Sequence, residues 1–338
     1  MSNIKNVILP TLLLSVILAV LFSLGCLNNS TPTNNQIDEQ TGSMMWDGLE
    51  RSYHLHTPLS YNKTEPIPLV IVLHGGGGSS EQVARATKGG FNTLSDKEGF
   101  IVVYPDGIEG HWNDGRKNIK DRAHRENIDD LGFISALIDK LIKESNVNPA
   151  RVYATGMSNG AGMSYRLACE LTGKIAAIAP VALPMPENLV STCSPSEAIS
   201  VLIIHGTDDP LAPWEGGDVA RGRGKVISIE ETVRYWVAHN NCSSSPEIIW
   251  ESDKDSRDGT RVRREVYGEG RDETEVILYA IEGGGHAWPG GYQYWPERIV
   301  GKMNKDMDAD EVIWNFFHSS QTQVSHSSST HIITDFKS

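Results

Sequence analysis

The sequence predicts an α/β fold in a single domain, with a mostly parallel central sheet and helices on both of its faces. Three observations lead there. Short apolar runs, Pro68–Leu73, Val152–Ala154, Val201–Ile204 and Val276–Ile281, recur along the chain at strand length. Helical stretches separate them, the pattern expected of strands joined by crossover helices. Each apolar run also ends in a loop bearing residues able to do chemistry.

In chain order, Pro68–Leu73 reads as a strand running into His74-Gly75-Gly76-Gly77-Gly78. Asp130–Ser145 reads as a helix, because Phe133, Ile134, Leu137, Ile138, Leu141 and Ile142 recur at helical spacing. Val152-Tyr153-Ala154-Thr155 delivers Gly156-Met157-Ser158-Asn159-Gly160, and Ala161–Leu171 reads as the helix that follows. Ile175–Ala182 and Val201–Ile204 are further strands, the second leading into His205-Gly206-Thr207-Asp208-Asp209. Ile229–His239 is a helix opened by Ser228 and Glu231 in capping-box register. Thr260–Tyr267 and Thr274–Ile281 read as neighbouring strands near the C-terminal edge, the second ending in Glu282-Gly283-Gly284-Gly285-His286. Ala309–Phe317 is a final helix capped by Asp308, which accounts for the acidic run Asp306 to Asp310 better than a calcium loop does. Glu311 would occupy the glycine position of such a loop.

The chemistry is carried by G-x-S-x-G at Gly156–Gly160, in which a strained turn presents a serine and needs residues without Cβ on either side. An acid after the next strand and a histidine after the last give the order Ser158, Asp209, His286, which is that of α/β-hydrolases. Asp208 competes with Asp209 for the acid's place. A serine hydroxyl is a weak nucleophile, so His286 would take its proton while the acid fixes the imidazole tautomer. Backbone N–H groups of Asn159 and of Gly76 or its neighbour would hold the developing oxyanion. His74 and His205 read as structural. No step requires a metal or an organic cofactor.

The runs P-L-V-I-V-L-H-G-G-G-G-S, V-V-Y-P-D-G, W-N-D-G-R, D-D-L-G-F-I, G-M-S-N-G-A-G-M, H-G-T-D-D-P-L-A-P-W, G-G-G-H-A-W-P-G-G and I-W-N-F-F, spread over residues 46 to 317, together resemble the polyhydroxybutyrate depolymerase and feruloyl esterase family. That family is grouped with family 1 carbohydrate esterases. The resemblance implies an α/β-hydrolase fold and a serine carboxylic ester hydrolase, with Ser158 as nucleophile, His286 as base, Asp209 as acid, and Gly76 and Asn159 as oxyanion donors. It implies an ester substrate derived from a polymer: feruloyl or acetyl esters of plant polysaccharide, or short polyhydroxyalkanoate esters. Glycines stand here where some depolymerase relatives carry H-G-C-x-Q, which tells against the polyester. Two other classes share the scaffold, an acyltransferase and a catalytically silent carbohydrate-binding protein; the complete Ser158, Asp209 and His286 set argues against the second.

Lys5 followed by the apolar stretch Val7–Leu24 reads as an export signal over residues 1–25. Ser23-Leu24-Gly25-Cys26 resembles a lipobox, so Cys26 is either lipidated or follows a retained membrane anchor, and the domain faces outside in both cases. Residues 26–43 read as a polar linker, 44–318 as the esterase domain and 319–338 as a tail without structure. In an oxidising compartment the three other cysteines leave one unpaired; Cys169 with Cys193 is the preferred bridge, since both flank the Ile175–Ala182 strand. A net charge of −13 argues against nucleic acid as partner. Trp288, Trp214 and Trp112, near the candidate site in sequence, are expected to stack on a phenolic or sugar group. No long hydrophobic lid-like insertion is present, which tells against a triglyceride lipase.

Overall fold

The structure, a computed structural model, describes the backbone of residues 39–330 and the side chains of residues 40–320. Its strands are β1 (Glu39–Trp46), β2 (Leu49–His56), β3 (Ile67–Leu73), β4 (Ile101–Pro105), β5 (Val147–Met157), β6 (Ala177–Val181), β7 (Ser200–Gly206), β8 (Gly217–Asp218), β9 (Lys225–Val226), β10 (Glu247–Trp250), β11 (Arg261–Tyr267) and β12 (Val276–Glu282). The helices are α1 (Ser80–Ala86), α2 (Gly90–Glu98), α3 (Arg122–Arg125), α4 (Asp130–Glu144), α5 (Asn159–Glu170), α6 (Glu187–Val190), α7 (Ile229–Asn240), α8 (Glu297–Val300) and α9 (Ala309–Thr330). All strands but β8 and β9 form one sheet in the order β1-β2-β4-β3-β5-β6-β7-β12-β11-β10. Pairing is parallel from β4 through β12 and antiparallel at both margins.

Strand β3 shows why the central runs are apolar without a break. Leu69, Ile71 and Leu73 enter one core, with Phe133 and Leu137 of α4, Met163 of α5 and Trp236 of α7. Val70 and Val72 enter the opposite core, with Phe91 of α2 and Ile313 and Phe317 of α9. Alternate side chains leave on opposite faces, and both faces are covered, so neither can be polar. The helices begin where short polar side chains cap them. Asp129 accepts from Gly132 N–H at α4, and Ser228 and Glu231 form the reciprocal capping box of α7.

Two boundaries differ from the sequence reading. The expected linker of 26–43 overlaps β1, whose Glu39–Trp46 pairs with Leu49–His56. An edge strand of mixed exposure does not need the apolar alternation that a core strand shows. The C-terminal segment expected to lack structure from 319 continues α9 as far as Thr330. Its serines begin by satisfying helix carbonyls, as Ser319 and Ser320 hydroxyls both donate to Phe316 C=O. Asp308 Oδ1 caps the same helix through Asp310 and Glu311 N–H. Cys169 and Cys193 are disulfide-bonded, 4.8 Å apart between Cα atoms, and Cys242 is free. The segment 1–25 and Cys26 lie outside the described residues. Among the described residues no helix is long and apolar enough to cross a membrane.

Candidate active site

Strand β5 ends at Met157 and helix α5 starts at Asn159, so the reversal is made in one residue. Ser158 makes it, at φ 57° and ψ −116°, a backbone state that costs a non-glycine residue about 1–3 kcal/mol. Ser158 N–H donates to Val181 C=O on β6, and Ser158 C=O accepts from Gly162 N–H, so the turn is tied at both ends. The flanking glycines are required by close approach. A methyl on Gly156 would lie 2.6 Å from Leu73 O, and one on Gly160 would lie 2.2 Å from it.

The loop after β3 packs on this turn. A methyl built on Gly75 would sit 3.7 Å from Ser158 Cβ, and one on Gly76 3.6 Å from Asn159 Cβ. Gly77 N–H donates to Gly110 C=O and Gly78 N–H to Gly75 C=O, while Gly76 N–H has no partner among the described residues. Asn159 heads α5, where first-turn N–H groups have no carbonyl within the helix. His74 fixes the loop: its ring Nδ1 lies 2.8 Å from Gly75 C=O, and its Nε2 accepts from Gly107 N–H at 2.9 Å. This assigns the Nδ1–H tautomer, and burial pushes the ring's pKa down, which keeps it neutral.

Beneath Asn159 lies a buried ion cluster. Asn159 Nδ2 donates to Asp114 Oδ2 at 2.7 Å and to Trp112 C=O, while its Oδ1 accepts from Trp112 N–H. Asp114 also pairs with Arg116 and with His124. Burial raises the Asp114 carboxyl, but Arg116 and His124 outweigh it and hold the group well below the usual carboxylate range.

On the far side, His286 Nδ1 lies 2.7 Å from Asp209 Oδ2. Asp209 Oδ1 accepts from Leu211 and Ala212 N–H at 2.8 and 2.9 Å. Burial would raise this carboxyl; the facing His286 and the N–H donors prevail and keep it below its ordinary value. Asp208 points to no histidine: it is exposed and accepts from the Thr207 hydroxyl. His205 Nε2–H donates to Ala212 C=O at 2.9 Å, and burial lowers the ring's pKa. Ser158 and His286 line one cavity of about 600 Å³ with Gly75, Gly76 and Met157. That is the volume of a small-molecule site. No hydrogen bond joins Ser158 to His286, a contact that in free hydrolases often tightens only around substrate.

The expectation that Trp288, Trp214 and Trp112 stack on substrate is corrected, for none of them lines the cavity. Trp288 is 2% exposed, packs edge-on to Phe91 and donates its indole N–H to Asp310. Trp112 is fully buried, and its indole N–H holds His74 C=O, so it supports the Gly75–Gly77 loop from behind. Trp214 is half-buried against the core beside His205. The aromatic groups on the cavity are Tyr292, Tyr294 and Trp295, and Tyr294 donates to His286 C=O. Their signal in the sequence is the dense Y-Q-Y-W following the histidine loop. Trp288→Ala is therefore expected to cost about 3–5 kcal/mol of stability, the usual loss for a core tryptophan. It should lower turnover of aromatic and acetyl esters alike, as thermal unfolding beside a two-ester assay would register; a loss confined to aromatic esters at unchanged stability would contradict the packing role.

The family model described as "Esterase PHB depolymerase" matches residues 51–213, from β2 through the Asp209 loop. The protein named "Putative esterase NocK", from Nocardia uniformis subsp. tsuyamanensis, is 32% identical over 80% of this chain and 79% of its own. The chain belongs to the polyhydroxybutyrate depolymerase and feruloyl esterase family. Feruloyl esterase B of Piromyces equi is 29% identical over 70% of this chain, which spans only 43% of that larger protein. Among solved structures the acetyl xylan esterase from Aspergillus awamori superposes with a TM-score of 0.54 over 82% of this chain and 99% of its own. At 16% identity that likeness shows the α/β-hydrolase fold. This esterase is thus a carboxylic ester hydrolase, with the fold its sequence predicts.

Proposed function

We propose that this esterase works through Ser158, His286 and Asp209 by way of an acyl-enzyme. The observation that carries the reading is the 2.7 Å contact between His286 Nδ1 and Asp209 Oδ2, made by a histidine that shares its cavity with the strained Ser158. With Nδ1–H donated to Asp209, Nε2 is the free base. It takes the Ser158 proton as Oγ attacks the ester carbonyl, and returns it to the departing alcohol. The oxyanion of each tetrahedral intermediate accepts from Gly76 and Asn159 N–H, donors preorganised by His74, Trp112 and the Asp114 cluster; losing one such donor typically costs about 100- to 1,000-fold. Water, deprotonated by His286, then attacks the acyl-enzyme, releases the acid and regenerates Ser158.

The names of the relatives favour feruloyl or acetyl esters of plant polysaccharide, with short polyhydroxyalkanoate esters as the other member of the class. Exposed aromatic rings at the cavity mouth suit a planar acyl group or a sugar face. The enzyme is exported and acts outside the cell, released or tethered through Cys26, a reading supported by the Lys5 and Val7–Leu24 pattern and by the Cys169–Cys193 disulfide. A fluorophosphonate should label Ser158, and methyl ferulate, acetylated xylan fragments and hydroxybutyrate oligomers should each be turned over faster than a long-chain triglyceride. No labelling, or a preference for the triglyceride, would overturn the proposal.

A further inference from the structure

The catalytic cavity carries a charge opposite to that of the chain around it. Asp and Glu outnumber Lys and Arg by 43 to 30 in the sequence, yet the cavity is lined by Arg85, Arg221 and Arg223 and by no carboxylate. Of the arginines elsewhere among the described residues, ten are paired with a carboxylate, as in Arg122 with Glu126, Arg166 with Glu170 and Arg264 with Glu251, and Arg151, Arg234 and Arg298 are not. Among the described residues the three cavity arginines have no acidic partner. Arg221 lies over the Trp295 ring, 5.5 Å from its centre, a contact that leaves its N–H groups without an anion.

Arg223 is the informative one. It sits on the turn between β8 and β9, where its N–H donates to Val219 C=O and its own C=O accepts from Arg116 at 2.8 Å. Arg116 belongs to the Asp114 cluster that also clamps Asn159, so one buried network fixes both the oxyanion donor and the arginine turn. The side chain reaches the oxyanion loop: a methyl on Gly76 would lie 3.7 Å from Arg223 Nη1. Burial, then the neighbouring Arg221 and Arg116, push the Arg223 pKa down, and the more weakly acting Asp121 and Tyr294 offset this only in part, so the protein holds this cation against both desolvation and like charge. An arginine stays charged regardless, and its planar fork matches a carboxylate. Field focusing in a cleft raises the local concentration of the matching ion.

We infer that Arg223, with Arg221 beside it, binds a carboxylate carried by the substrate, and so makes this enzyme selective for esters that bear a free acid group. The inference rests on the serine-esterase reading for the placement of that ester. Two sources share the chemistry, an acid-ended hydroxyalkanoate oligoester and a saccharide ester carrying a uronate. The guanidinium contributes no bond-making step; it orients the ester so that the carbonyl reaches Ser158.

The test compares matched substrates on the full chain: nitrophenyl hydrogen glutarate against nitrophenyl valerate, an acid-ended hydroxybutyrate dimer against its terminal amide, and acetylated xylosides with and without a glucuronate branch. The acid member of the first pair should have the higher kcat/KM, and the larger preference in the other two arms identifies the source. Arg223→Gln, and Arg221→Gln with Arg223→Gln, should lower the acid-to-neutral ratio by about 10- to 100-fold, the range for hydrogen bonds to a charged group. Arg223→Lys should restore part of it, and added salt should weaken the preference. Equal rates for acid and neutral esters in the natural protein would overturn the inference. So would an equal loss on both in Arg223→Gln, which would place the guanidinium on the oxyanion instead. If no ester is turned over, the serine-esterase reading fails by itself, and glutarate binding by calorimetry decides this one. Binding abolished by Arg223→Gln sustains it, and binding that is absent or unaltered overturns it.

Discussion

Ser158→Ala is expected to reduce hydrolysis of a short nitrophenyl ester by about a million-fold, to near background, with the fold retained. The size follows from the proposed mechanism, in which the triad acts as a unit: without Oγ, His286 has no proton to take, and its orientation by Asp209 has no consequence for the reaction. The retained fold follows from what Ser158 contributes to structure. Its ties to Val181 and Gly162 are made by the backbone, its hydroxyl has no partner among the described residues, and alanine keeps the same Cβ at φ 57°. Steady-state kinetics and thermal unfolding on the same sample check both halves. Activity above about one per cent of the natural protein would remove Ser158 from its role, given the near-total losses expected of a nucleophile.

What the sequence made legible are features set by local rules. Gly156 and Gly160 could be read because a strand-to-helix reversal in one residue leaves no room for Cβ, and the structure places Leu73 O against both. Ser228 and Glu231 could be read because a capping box is a fixed spacing. The unbroken apolar β3 run signalled a strand covered on both faces. What was hidden depends on long-range placement. Trp288 stands two residues after His286, but an irregular loop has no period to say which way a side chain leaves, and Asp310, 22 residues on, draws its indole into the core. Asn159 is clamped by Asp114 from 45 residues away. Arg223 lies on a turn between strands of two residues each, too short to leave a pattern. β1 escaped notice for a related reason: an edge strand such as Glu39–Trp46 keeps its polar residues.

Asp209→Asn should lower kcat by about 10,000-fold while Asp208→Asn changes it by less than about threefold, the first being the magnitude seen when an aspartate-to-asparagine change imposes the wrong histidine tautomer. Asp209 has donors on both oxygens, Leu211 and Ala212 N–H on Oδ1 and the His286 ring on Oδ2. An asparagine can present its oxygen to one side only. If it satisfies the two backbone N–H groups, its NH2 faces His286 and demands that Nδ1 accept, which moves the ring proton to Nε2 and removes the base. If it turns the other way, two buried N–H groups lose their acceptor, at about 1–3 kcal/mol each. Asp208 has no such dilemma, since it is exposed and meets only the Thr207 hydroxyl. Because His286 and the N–H donors hold the Asp209 carboxyl below its ordinary pKa despite burial, the residue is ionised throughout the neutral range, where the two variants are compared. Measuring kcat for both variants between pH 6 and 9 distinguishes the neighbours. The reverse ranking would move the acid to Asp208, and two small effects would leave His286 without an orienting partner in this reaction.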